Sequence, residues 1–147
     1  MLKTLRSLAL LTAVLASQFA LRATAAPQKL LNGEVYMGSF DESEPSAYDI
    51  YLVPSSIQPR GDMKRFQEHY VYRQEQDDEL GGGYKYQQSI AYWVANCREG
   101  TSDLQKLDKL DAPGNKVGEF YTHFRLRVPE PGSAKEKALD YVCSYKH

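Results

Sequence analysis

Polar and apolar side chains alternate with a period of two along much of this chain. The alternation is cleanest between Lys116 and Val128, where one parity holds Phe120, Thr122, Phe124, Leu126 and Val128 and the other holds Tyr121, His123, Arg125 and Arg127. Successive side chains of a strand point to opposite faces, so this spacing predicts a strand with one buried and one solvated face. The pattern therefore restricts the chain to folds that are built around a sheet.

Five further segments have the composition or the alternation of strands, and turn-forming residues separate them. In the fourth of these strands both parities become apolar toward its end, which predicts that it enters a core. The Gln74 to Gly83 segment contains three consecutive glycines and predicts a mobile hairpin loop. The predicted strands are Glu34 to Phe40, Ala47 to Val53 before Pro54, Met63 to Gln76, Tyr84 to Cys97, and a short one through Leu104, Leu107 and Leu110. The spacing of these three leucines also fits one helical turn, but we favour a strand that runs into the turn at Asp111-Ala112-Pro113-Gly114-Asn115.

A single helix is predicted near the C-terminus. Ser133 and Glu136 form a Ser-x-x-Glu capping box, in which side chains satisfy the free amides of a helix start. The residues after it place one apolar face toward the sheet: Ala138, Leu139, Val142 and Cys143. The expected fold class is α+β, a compact antiparallel sheet of about five to six strands with a C-terminal helix and one disulfide.

The N-terminal segment has the three parts of a secretory signal peptide. Lys3 and Arg6 precede an apolar run from Leu8 to Ala16, and small residues follow at positions 23–25. We expect cleavage after Ala25, which divides the chain into a signal peptide (1–25) and one domain (26–147) with no transmembrane segment. The remaining 15 basic and 19 acidic side chains give a balance of −4, which opposes unspecific binding to nucleic acid.

Cys97 and Cys143 are the only two cysteines. Export to an oxidising compartment favours a disulfide between them. A redox or catalytic role requires close spacing such as Cys-x-x-Cys or a neighbouring His, and the chain has neither. We therefore predict a structural disulfide that joins the helix to the strand ending at Cys97.

The sequence contains no recognisable set of catalytic or metal-binding residues. Its three histidines are widely separated, and none of its serines lies in a Gly-x-Ser-x-Gly turn. The triple glycine at positions 81–83 lacks the context of a phosphate-binding loop. Arg60-Gly61-Asp62 has the form of an integrin-binding tripeptide, but a hairpin turn requires the same glycine. The residues therefore predict a protein that is not an enzyme and has no metal or cofactor.

Tyrosine is unusually frequent, with 11 in the chain. Its ring is rigid and amphipathic and suits protein-binding surfaces, although tyrosine is also a favoured strand residue. Four tyrosines flank one predicted hairpin and have lysines and arginines near them. They form our candidate protein-binding surface: Tyr70, Tyr72, Tyr84 and Tyr86.

The order of these signals resembles the surface-adhesin protein E family of Gram-negative bacteria. The resemblance extends from about Tyr48 to Cys143 and rests on an ordered set of short pieces: Asp49-Ile50-Tyr51-Leu52-Val53, Ser55-Ser56-Ile57, the strand ending in Cys97, Asp111-Ala112-Pro113-Gly114-Asn115, and Val128-Pro129-Glu130-Pro131-Gly132-Ser133 before the helix with Cys143. It implies an antiparallel sheet with a C-terminal helix and one disulfide, and an adhesin that binds host extracellular-matrix or serum proteins at the cell surface. The alternative is a soluble periplasmic protein with a housekeeping or hydrolase-inhibitor role, which the lack of a lipid-attachment cysteine favours. The ligand and the oligomeric state stay open.

Overall fold

A computed structural model describes residues 33–78 and 82–146. The predicted signal peptide and part of the predicted glycine loop lie outside these residues. The elements are six strands and one helix: β1 (Val35–Phe40), β2 (Tyr48–Arg60), β3 (Met63–Asp77), β4 (Lys85–Asn96), β5 (Thr101–Leu110), β6 (Lys116–Tyr121) and α1 (Ala134–Ser144).

The strands form one antiparallel sheet in the order of the sequence, β1-β2-β3-β4-β5-β6. Each strand therefore pairs with the strand that follows it, and the connections are hairpins. The β2–β3 turn contains Gly61 at a φ of 61°, a left-handed conformation that favours glycine. This architecture confirms the predicted α+β class.

Helix α1 packs on one face of the sheet, and the hydrophobic core lies between them. Ile50 and Leu52 of β2, Phe66 of β3 and Ala95 of β4 are buried on this face. Ala138, Leu139 and Val142 of the helix are buried against them, which confirms the predicted apolar face of the helix. Burial of each large aliphatic or aromatic side chain contributes about 1.5–3 kcal/mol.

The helix is fixed at both ends. The Ser133 Oγ accepts a hydrogen bond from the Glu136 amide at 3.1 Å, and the Glu136 carboxylate accepts one from the Gly132 amide at 2.6 Å. At the C-terminus, where the last turn contains no basic residue, Lys64 of β3 donates to the carbonyl of Val142 at 2.8 Å. The predicted Cys97–Cys143 disulfide is confirmed, and it joins the end of the helix to the end of β4.

Strand β2 continues through Pro54, where the sequence predicted its end. The register with β3 shifts between Val53 and Gln58, so Pro54, which has no amide hydrogen, lies in an irregular stretch of the ladder. The Ser56 hydroxyl replaces the missing backbone hydrogen bond there: it donates to the Val53 carbonyl at 2.6 Å and accepts from the Gln67 amide at 2.8 Å.

Strand β6 is shorter than predicted. It ends at Tyr121. Beyond it the Thr122 amide and hydroxyl donate to the carbonyls of Gln105 and Leu104 in β5, and an isolated bridge joins Ser102 to Arg127. Phe124 and Val128, which the alternation placed in the core, are exposed. The alternation did not reveal that these two apolar side chains stay exposed.

Candidate functional site

Exposed large hydrophobic side chains are concentrated in two segments of the described chain. All six lie either in β1 or between residues 120 and 128: Tyr36, Phe40, Phe120, Tyr121, Phe124 and Val128. Val128 is the most exposed of them, with 74% of its surface accessible. Apolar surface that is contiguous and uncovered marks an interaction site more often than scattered exposed residues do.

These two segments border the same groove, which has a volume of about 1090 Å³. Ile50, Trp93 and Leu104 of the sheet are among the residues that line it, and they are buried or half-buried. Strand β1 lines one side, with Tyr36 and Phe40, and the segment 122–130 lines another. The N-terminal turn of α1 also contributes to the lining. The groove is therefore a cleft beside the start of the helix with apolar side chains on its margins.

Basic side chains make up much of the wall formed by the segment after β6. His123, Arg125 and Arg127 all line the groove, so the polar parity of the predicted strand faces it. Arg125 and Arg127 are exposed, as is Lys137, which lines the groove from the helix. Among the described residues, none of these three cations forms an ion pair. Their charges are available to a partner.

An ion pair between a half-buried ammonium and a buried carboxylate forms part of the groove wall. Glu68 of β3 is fully buried on the helix-facing side, and Lys135 of α1 donates from its ammonium to the Glu68 carboxylate and to the Tyr70 hydroxyl. The Tyr70 hydroxyl donates to Glu68 Oε2 at 2.7 Å, and the indole of Trp93 donates to Tyr70 at 3.0 Å. The ammonium also lies 4.2 Å from the centre of the Trp93 ring, a favourable cation–π contact.

Burial determines the protonation behaviour of this network. Desolvation lowers the pKa of the Lys135 ammonium, and the Glu68 carboxylate opposes this change. Burial, and next the Glu68 carboxylate, raise the pKa of the Tyr70 hydroxyl well above its usual value. Glu68 is the one polar residue between Phe66 and Tyr72 in the apolar parity of β3, and that signal was visible in the sequence. Only the structure shows that Lys135, 67 residues away, is its partner.

The four tyrosines predicted as a binding surface do not share one environment. Tyr70 and Tyr72 are buried in the core, with 4% and 9% of their surface exposed, so their rings are not available to a partner. Both belong to the core cluster that packs against the helix. Tyr84 and Tyr86 are half-buried, and the Lys109 ammonium lies 4.4 Å from the centre of the Tyr86 ring. Their role in binding stays a prediction.

The opposite face of the sheet has its own charged network. Asp108 of β5 forms ion pairs with Lys106 and Lys116 at 2.9 Å and accepts a hydrogen bond from the Tyr92 hydroxyl at 3.0 Å. Burial by itself raises the pKa of Asp108, but the hydrogen bonds from Lys116, Lys106 and Tyr92 outweigh it and lower the pKa below its usual value. Each member has a compensating partner, which is the arrangement of a structural ion-pair network.

Two other sequence features have structural explanations. Arg60-Gly61-Asp62 forms the exposed β2–β3 turn, and the Asp62 carboxylate pairs with Arg98 at 3.2 Å. Within residues 33–78 and 82–146, no three His, Cys, Asp or Glu side chains are grouped to hold a metal ion. No helix in these residues has the length and hydrophobicity needed to cross a membrane.

Comparison with known proteins identifies the family. A family model described as Surface-adhesin protein E matches residues 36–144, which include all the described elements except the first residue of β1. No curated protein and no solved structure is detectably similar to the chain. The match covers most of the sequence and the whole of the groove, and it confirms the resemblance seen in the sequence. The chain is thus an adhesin-like surface protein that belongs to the surface-adhesin protein E family.

Proposed function

We propose that this protein is an exported, non-catalytic binding module that attaches to host extracellular-matrix or serum proteins through the groove beside α1. The observation that carries the proposal is the distribution of exposed apolar side chains. Tyr36, Phe40 and Val128 lie on the margins of one groove, and the six exposed large hydrophobic residues of the described chain are confined to the two segments that include them. Aromatic side chains on such a margin supply large contact areas at low entropic cost.

The family and the charges support the same function. The family is described as a surface adhesin, which suggests a protein-binding role, and the groove has unpaired cations beside its apolar margin. The ion pair of Lys135 and Glu68 stiffens the wall that these side chains share, because it ties the start of α1 to the middle of β3. A rigid wall lowers the entropic cost of binding.

Binding of the purified exported protein to immobilised matrix and serum proteins tests this proposal. We expect saturable binding that a reduced and alkylated sample lacks. Replacing Phe40 and Val128 by serine removes apolar surface from the groove margin and is expected to weaken binding. Tyr121→Ser is the matched control, since Tyr121 is 64% exposed and does not line the groove.

Two results contradict the proposal. If none of the immobilised proteins binds, or if the groove and control variants bind alike, the groove is not the adhesive surface. If intact cells protect the protein from added protease and it is found only in the periplasm, it cannot meet host proteins. The periplasmic housekeeping or inhibitor role then becomes the better interpretation, and capture of a hydrolase from the envelope is the experiment that follows.

A further inference from the structure

We propose that the groove accepts an extended, acidic segment of the partner protein, which pairs as an additional strand with the outer edge of β1. This inference rests on the proposed function and specifies the chemistry of its ligand. The partner segment supplies carboxylates to Arg125, Arg127 and Lys137 and apolar side chains to Tyr36 and Phe40.

The backbone of β1 is open to the groove. Among the described residues β1 is the first strand of the sheet and pairs only with β2. Five consecutive residues, 36–40, line the groove. The register of β1 shifts between Tyr36 and Gly38, and the edge of β1 that faces away from β2 has no strand partner among the described residues. An exposed edge offers unpaired amide and carbonyl groups and is a template for another strand.

The length of β1 sets the length of the segment. Its six residues extend for about 20 Å at roughly 3.3 Å per residue. Tyr36 and Phe40, which are four residues apart, then lie about 13 Å apart along the strand. Tyr36 packs on Tyr51 and Phe40 packs on Tyr48, so the two rings lie on opposite faces of the sheet. A partner segment of about six residues matches this edge and contacts one ring with each of its two faces.

The charge of the groove selects an acidic segment. Arg125 and Arg127 are two residues apart. In an extended partner segment, carboxylates that are two residues apart lie on the same face, so their spacing matches that of the two arginines. Lys137 adds a third unpaired cation, whereas Lys135 is already neutralised by Glu68. Glu42 and Glu130 are the exposed acids of the lining and leave the exposed side chains with a net charge of +1. Asp103 also lines the groove, but it is only 8% exposed and accepts a hydrogen bond from Gln105 at 2.7 Å. The exposed side chains of the groove are therefore net positive on a protein whose sequence after position 25 has a balance of −4.

Titration with synthetic peptides tests the inference directly. The probe is a labelled six-residue peptide, Glu-Leu-Glu-Tyr-Glu-Leu, with blocked ends, and binding to the exported protein is followed by fluorescence anisotropy. We expect saturable binding that weakens as salt is added, because exposed charges are screened within about 10 Å at 0.1 M salt. The Lys-Leu-Lys-Tyr-Lys-Leu peptide is expected to bind at least about tenfold more weakly, a difference of about 1.4 kcal/mol.

Charge reversal identifies the residues. R125E/R127E is expected to weaken the acidic peptide at least tenfold and to strengthen the basic peptide. R60E/R65E is the matched control, because Arg60 and Arg65 are exposed, form no ion pair among the described residues and do not line the groove. The same charge change at the control sites must leave the preference for the acidic peptide unaltered.

Backbone methylation tests the strand pairing. Successive amides of a strand point to its two opposite edges. Methylating the odd-numbered amides of the acidic peptide therefore blocks one edge, and methylating the even-numbered amides, the second phase, blocks the other. Binding that is lost in at least one phase supports pairing with β1. Binding that persists in both phases overturns the added strand, and equal binding of the acidic and basic peptides overturns the charge selection.

The inference and the proposed function can fail separately. If matrix or serum proteins bind and the acidic peptide does not, the adhesive function stands and its ligand is not an acidic strand. If the peptide binds with the expected charge dependence and no host protein does, the groove chemistry stands and the function is wrong. Urea unfolding monitored by Trp93 confirms that each variant is folded before its binding is compared.

Discussion

Replacing Lys135 by methionine should destabilise the protein strongly, and the loss should depend on pH. The change removes the ammonium that compensates Glu68, which has no exposed surface. The Glu68 carboxylate then keeps one donor among the described residues, the Tyr70 hydroxyl at 2.7 Å. The second carboxylate oxygen of Glu68 has no hydrogen-bond partner even with Lys135 in place.

Two arguments give the magnitude. Removing one partner of a buried ion pair typically costs about 3–5 kcal/mol, because an uncompensated charge is left in the interior. The alternative is that the buried carboxyl takes up a proton. A glutamate in water has a pKa of about 4.3, so protonating such a group at pH 7 costs about 3.7 kcal/mol. The smaller of the two costs applies, and we expect a loss of about 3–4 kcal/mol at pH 7.

Proton uptake also fixes the sign of the pH dependence. In the variant the folded state holds a proton that the unfolded chain releases above pH 4.3, so stability falls as pH rises. The cost relative to the original protein should change by about 1.4 kcal/mol per pH unit and be only about 1 kcal/mol at pH 5.

Urea unfolding at pH 5, 6 and 7, followed by the fluorescence of Trp93, measures these differences. The double variant E68Q/K135M removes both charges and should recover most of the loss, whereas K137M changes an exposed lysine of the same helix and should cost little. A loss below about 1 kcal/mol at pH 7 for K135M, or a loss that does not vary with pH, would refute the reasoning.

Three further predictions concern the fold. Reducing the disulfide between Cys97 and Cys143, which are 46 positions apart, should lower the free energy of unfolding by about 4 kcal/mol, and comparison of oxidised and reduced samples in urea checks this value. Ser133→Ala removes the N-cap and should cost about 1 kcal/mol in the same assay, whereas S133D should retain most of the stability. Burial raises the pKa of Tyr48 and Tyr70, so the folded state keeps their protons and loses stability as pH rises above 10. Their phenolate absorbance should appear only with unfolding. A folded-state phenolate signal that is smaller in Tyr48→Phe or Tyr70→Phe than in the original protein would contradict this.

Local patterns were sufficient to predict the elements of the fold. The number of strands, the C-terminal helix and its cap at Ser133 follow from residue periodicity and from turn and cap chemistry, which act over a few residues. The disulfide was predictable because a chain with two cysteines has one possible pairing. These features depend little on distant contacts.

The strand ends were less predictable. Pro54 indicated an end to β2, but a bulge and the Ser56 hydroxyl accommodate it. The alternation between Lys116 and Val128 indicated one long strand, but the chain leaves β5 after Tyr121 on its way to the helix. Both differences arise from neighbouring strands, whose register a single sequence does not show.

The candidate site was mostly invisible in the sequence. Tyr70 and Tyr72 were assigned to a surface because tyrosine suits both surfaces and strands, and their burial depends on where the helix packs. Phe124 and Val128 were assigned to the core because they share the apolar parity of the predicted strand, but both are exposed. Alternation shows that the two faces of a strand differ, and it does not show which face is covered. The groove combines residues from β1, from the segment after β6 and from the helix, which are far apart along the chain.

By itself, the sequence determined the sheet-based class of this protein, its family, its helix cap and its disulfide, because these depend on periodicity, local chemistry and the order of short motifs. The tertiary structure alone decided that Glu68 is paired with Lys135, that two of the candidate tyrosines are buried and that free cations face an apolar groove. The physical reason is that burial and pairing are properties of surfaces brought together by folding. The sequence shows whether a side chain favours burial or an ion pair. The residues that pack against it in the fold decide whether it is buried or paired.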